Sequence, residues 1–121
     1  MTQKKQIILD FKSLLLDAEL FDRSVASRFA ANMPYTVDLE KWGNELYGPI
    51  GIDLGEEHPV PDIPPGGIAY TNKGNYLCIF FGQRPAWPVE YIGQIAGDGW
   101  KKLVGNTSCQ SLIIRPRGDK G

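Results

Sequence analysis

Residues Gly66–Pro85 read GGIAYTNKGNYLCIFFGQRP: two short apolar runs, IAYT and YLCIFF, are parted by NKGN and stopped at Gly82. Short runs rich in aromatic and β-branched side chains, bounded by Asn, Gly and Pro, are the signature of strands and not of helices. Such runs and their turn signals recur along most of the chain, which points to a β-barrel or sandwich.

Lys5–Phe11 and Leu14–Leu20 form the first expected pair, a hairpin around Lys12-Ser13. Arg23–Asn32 carries the one helical pattern. There Val25 and Phe29, with Ala26 and Ala30, recur at three-to-four spacing, Asp22 is the expected N-cap and Pro34 the stop. Tyr35–Trp42 then alternates: Tyr35, Val37 and Leu39 share one face, Thr36, Asp38 and Glu40 the other. Further strands are expected at Glu45–Ile52, Ile68–Thr71, Tyr76–Phe81, Tyr91–Ala96, Trp100–Val104 and Gln110–Ile114. Trp100–Val104 also fits a helical turn. His58–Gly67, HPVPDIPPGG, holds four of the nine prolines and is a loop, because Pro supplies no ladder donor.

Several function classes drop out on composition. Net charge is −1 over 121 residues, and the Lys4-Lys5 and Lys101-Lys102 pairs are too small for a nucleic-acid footprint. No run approaches the roughly 20 apolar residues of a spanning helix. The N-terminal stretch lacks a secretory pattern, so the expected compartment is the cytoplasm, with no membrane partner. Two cysteines, Cys78 and Cys109, make no disulfide framework and are expected as buried thiols.

The single histidine, His58, sits among acids and prolines and is expected at the surface, not as the base of a nucleophilic triad. Glu56, Glu57, His58 and Asp62 match no standard ligand spacing, so no metal and no cofactor are expected. Gly48-Pro49-Ile50-Gly51 and Pro65-Gly66-Gly67 lead into strands, unlike a phosphate loop, which leads into a helix N-terminus. Glu45, in the apolar stretch WGNELYG, is the best single acid/base candidate.

The aromatic residues are the positive signal. Trp42, Tyr47, Tyr70, Tyr76, Phe80, Phe81, Trp87, Tyr91 and Trp100 fall at or near strand ends. Most must fill the core, at roughly 150–250 Å² each. Trp42 beside Gly43, and Trp87 between Pro85 and Pro88, are placed instead to line the rim of an apolar pocket.

Three stretches together, WGNELYG (Trp42–Gly48), PPGGIAYTNKGNYLCIFFGQRP (Pro64–Pro85) and VEYIGQIAG (Val89–Gly97), resemble a small prokaryotic cyclophilin-like family of unknown function, itself distantly similar to the peptidyl-prolyl isomerases. The resemblance implies a cyclophilin-like closed β-barrel of about eight short strands with one α-helix. It would form a single domain over residues 1–115, with a frayed tail at 116–121 in the segment RPRGDKG. It also implies that Thr71 and Asn72 offer backbone to a ligand, and that Tyr76, Cys78 and Phe80 face a groove while Leu77, Ile79 and Phe81 face the core. Trp87 stands where many cyclophilins carry a groove tryptophan.

The departure from those isomerases is the missing arginine. Between Tyr35 and Leu54 the only cation is Lys41, and an ammonium cannot reproduce the planar guanidinium fork. Arg84 is the one arginine near enough in sequence to enter the groove from its other side. The resulting expectation is an apolar groove for a small ligand or an extended peptide, lined by Trp42, Tyr47, Thr71, Asn72, Tyr76, Phe80 and Trp87, without prolyl isomerase activity. The alternatives are prolyl isomerisation, amide hydrolysis using Glu45 (cyclophilin-like domains also occur in allophanate-hydrolase-type proteins), and a homodimer paired through an open edge strand near Gln110–Ile114.

Overall fold

The computed structural model describes residues 4–117. Nine strands form one antiparallel sheet: β1 (Lys5–Asp10), β2 (Leu15–Leu20), β3 (Tyr35–Asp38), β4 (Glu40–Trp42), β5 (Glu45–Pro49), β6 (Gly67–Thr71), β7 (Tyr76–Phe80), β8 (Glu90–Ile95) and β9 (Ser111–Pro116). Their order is β3-β9-β1-β2-β8-β6-β7-β5-β4. The two end strands are consecutive in the chain and separated only by Leu39, so the expected single strand Tyr35–Trp42 bends there. Its first half pairs with β9 and its second with β5. That bend brings the sheet round into a nearly closed barrel. Gly48 permits the closure, because a Cβ there would fall on the Asp38 carbonyl and the Val37 side chain.

Alternation fills the interior. Ile7, Leu9, Leu16, Leu20, Val37 and Leu46 point into one buried core, joined by Leu77, Ile79 and Phe81. The helix α1 (Ser24–Ala31) plugs this core with Val25, Ala26 and Phe29, and Phe29 stacks on Tyr35 at 4.3 Å between ring centroids. The N-cap is Arg23, in extended conformation and without a side-chain cap bond, in place of Asp22.

Other boundaries also differ from the sequence expectation. β5 stops at Pro49, one residue short of the Ile50 N–H that closes the ladder on the Asn75 carbonyl at 2.9 Å. Gly99–Leu103 is a 3₁₀ turn and not a strand. β9 runs to Pro116, and the Arg117 N–H bonds to the Gln6 carbonyl at 3.1 Å, so the chain is still paired at the start of the expected tail. Residues 118–121 of that tail lie outside the described residues. β9 pairs with β1 on one side and β3 on the other. It has no free edge, which removes the edge pairing expected near Gln110–Ile114.

Candidate functional site

The opposite face of the β5–β7–β6 ribbon carries a second, smaller apolar cluster. Cys78 lies opposite Tyr47 on one side and Ala69 on the other, and Phe80 lies between Glu45 and Gly67. Strand alternation sends Leu77 and Ile79 into the barrel core and Cys78 and Phe80 to this outer face, where Ile63, Ala69 and Val89 pack with them.

A cavity of about 440 Å³ opens on that face. Tyr47, Tyr76, Cys78 and Phe80 form its floor, and Glu45 and Thr71 stand among them. Trp42 from β4 supplies one rim, and Pro85, Ala86 and Trp87, from the loop between β7 and β8, supply the other. Tyr47 and Tyr76 meet edge to face at 5.7 Å. Trp42 is 54% and Trp87 42% exposed, so both indoles stand at an open mouth.

Two polar arrangements hold the walls. Thr71 Oγ1 accepts from Trp87 Nε1 at 3.1 Å and from the Lys73 N–H at 3.2 Å. Glu45 is 7% exposed. Its Oε1 accepts from Gln83 Nε2 at 3.5 Å, and the Cys78 thiol is its other polar neighbour. Gln83 is itself anchored, because its Oε1 accepts the Asn44 N–H at 2.6 Å. Burial pushes the Glu45 carboxyl above the ordinary glutamate range, against the lowering effect of the Cys78 and Gln83 hydrogen bonds. Burial, reinforced by the neighbouring Glu45 charge, pushes the Cys78 thiol up as well. The arrangement can enclose an apolar body, and its polar groups are the Glu45 carboxyl, the Cys78 thiol and the hydroxyls of Tyr47, Thr71 and Tyr76.

The sequence-derived site residues Trp42, Tyr47, Thr71, Tyr76, Phe80 and Trp87 all line this cavity, as does Glu45. Asn72 does not; it starts the turn between β6 and β7. Arg84 lies outside the lining too, its Nε 2.7 Å from Asp62 Oδ1, with both side chains exposed. Pro85, Ala86 and Val89 were not singled out as lining. Val89 reaches the cavity through a bridge to Val60, a pairing across 29 positions that local pattern does not encode. His58 is elsewhere: its N–H and that of Glu57 both donate to Glu90 Oε2, at 2.9 and 2.8 Å. Among the described residues no three His, Cys, Asp or Glu side chains converge as metal ligands, and no helix is long and apolar enough to cross a membrane.

A barrel of this topology with an outer-face cavity is the cyclophilin-like architecture. The family model for cyclophilin-like proteins matches residues 5–115, and the chain belongs to that family. Among solved structures it is similar to the hypothetical protein AF2241 from Archaeoglobus fulgidus, determined in solution, with a TM-score of 0.77 and 23% identity over 97% of this chain and 98% of that one. It is also similar to McbB, solved in complex with tryptophan, with a TM-score of 0.75 and 16% identity over 96% of this chain. The match covers 46% of the McbB chain, so this protein spans under half of it. No curated protein matches the chain in sequence.

Proposed function

We propose that this protein is a binding barrel whose outer-face cavity takes a small molecule with an apolar, ring-sized body. The observation that carries the reading is the cavity itself. It is concave and about 440 Å³ in volume, with mostly apolar walls, five aromatic residues among them, and few polar groups, which is the usual form of a small-molecule site. The tryptophan complex of McbB supports it by analogy of fold alone.

Prolyl isomerisation is not the activity proposed. Among the described residues no arginine lines the cavity, and Arg84 is held at the surface by Asp62. The uncatalysed barrier is about 18–20 kcal/mol, and a guanidinium that could weaken the amide resonance is what the isomerase mechanism supplies. Amide hydrolysis by Glu45 has less support than binding, because among the described residues Glu45 is the one carboxylate in the lining and no histidine joins it there.

A thermal-shift screen of small ring compounds, read alongside the fluorescence of the two rim tryptophans, tests the proposal. Hits should raise the melting temperature of the native protein and fail to raise that of a Tyr76→Ala, Trp87→Ala variant. Hits that stabilise both proteins equally would place the binding elsewhere.

A further inference from the structure

Among the described residues two acids are buried, and they are treated differently. Glu90 accepts two backbone N–H groups at 2.8 and 2.9 Å and anchors the 57–58 loop, so its charge is used by the fold. Glu45 receives only a long bond from a neutral amide, at 3.5 Å, with the neutral Cys78 thiol as its other polar neighbour. No Lys or Arg lies within ion-pair distance of it among the described residues, and none lines the cavity. A carboxylate 7% exposed and without a cation is costly to keep ionised. The same cavity presents four electron-rich rings, Trp42, Tyr47, Tyr76 and Trp87. Aromatic faces around a carboxylate, with no resident cation, form the complement of an organic ammonium ion.

We propose, building on the binding reading above, that the ligand is a small amine with an apolar body, its ammonium group paired with Glu45 and its hydrocarbon part against Tyr47, Tyr76 and Trp87. Gln83 is the positioning residue. Its Oε1 is taken by the Asn44 N–H, which leaves Nε2 aimed at Glu45 Oε1 and fixes the carboxyl group in the cavity wall. Gly43, with φ +61°, makes room for that amide, because a Cβ there would fall on Gln83 Oε1.

The groups facing Glu45 are the Cys78 thiol from β7 and the Gln83 amide from the following loop, with the Tyr47 and Tyr76 rings on the same floor. Neither the thiol nor the amide is charged near neutral pH. Glu45 therefore sets the pH dependence: affinity for a cation falls as pH drops through its raised pKa, while affinity for a neutral ligand stays level.

The test is calorimetric titration of the whole protein with 2-phenylethylammonium and with its neutral counterpart 2-phenylethanol, near pH 8 and again near pH 5. The ammonium should bind about tenfold tighter than the alcohol at the higher pH, the scale of a hydrogen bond to a charged group. That preference should shrink at the lower pH and vanish in Glu45→Gln, whose affinity for the alcohol is the check that its cavity is intact. The wild-type pH comparison decides the matter even where the variant does not fold. Equal binding of both probes, or binding of the alcohol alone, overturns the charge reading and leaves the cavity proposal standing. Binding of neither probe overturns both.

Discussion

The indole Nε1–H of Trp87 donates to Thr71 Oγ1 at 3.1 Å, and this bond ties the loop over the cavity to the last residue of β6. Thr71 is buried and also accepts the Lys73 N–H, so one hydroxyl fixes both the turn after β6 and the rim of the site. Thr71→Val keeps the shape and removes both bonds. It should cost about 1 kcal/mol, roughly 4 °C in Tm for a domain of this length. It should also shift Trp87 emission to the red as the indole is released to water, which fluorescence and thermal unfolding can read together.

Two neighbours of one strand should behave oppositely. Ile79 points into the barrel core and is fully buried, so Ile79→Ala should cost about 2–5 kcal/mol in denaturant unfolding. Tyr76 is half-buried on the cavity floor, against Tyr47. Tyr76→Ala should lose ligand affinity by more than its smaller loss of stability explains. A register in which Tyr76→Ala unfolds the protein and Ile79→Ala does not would reverse the assigned faces.

Part of that assignment was legible in the sequence. Strand alternation alone separates Cys78 and Phe80 from Leu77 and Ile79, and the structure places the two sets on opposite faces. Which set faces the cavity was not legible from the run itself, because YLCIFF is apolar or aromatic throughout; that expectation rested on the family resemblance. The rim tryptophans were legible from their Gly and Pro neighbours. The bend at Leu39 was not, because it comes from the sheet closing on itself and leaves the apolar alternation of Tyr35–Trp42 intact. Nor was the pairing of β9. Gln110–Ile114 reads as an edge, but the partners on its two sides come from residues 7–10 and 35–38, far away in sequence. Asn72 and Arg84 lie outside the cavity lining for a related reason. A turn residue and an exposed arginine have their contacts set by loops, and Asp62, which holds Arg84, is contributed by the proline-rich loop.

Both cysteines are buried with thiol pKa values raised by burial, Cys78 further raised by Glu45. A thiol attacks as its thiolate. Iodoacetamide near pH 8 should therefore leave the native protein unlabelled over a time in which the unfolded chain labels fully. A cavity ligand should slow the labelling of Cys78 further and leave Cys109 unchanged, which mass spectrometry of the digested protein resolves.

The buried Glu45 carboxyl has a folded-state pKa above its unfolded value. Between those two values the folded chain binds the extra proton, so the stability contributed by Glu45 falls as pH rises through that window and levels off above it. Glu45→Gln removes the term. The variant should gain stability relative to the wild type as pH climbs through the same interval, and keep a constant difference beyond it, in urea unfolding at a series of pH values. A difference that shrinks with rising pH would mean that the carboxylate is stabilised by its surroundings, contrary to the burial seen here.

The central claim is that the outer face of β5, β6 and β7 is a ligand site. The most direct measurement is an amide chemical-shift titration of the isotope-labelled protein with 2-phenylethanol and 2-phenylethylammonium. Shifts should concentrate at Glu45, Thr71, Tyr76, Cys78, Phe80 and the Trp87 indole, with the core strands β1 and β9 unmoved. Shifts centred on another surface, or none at saturating probe, would contradict it.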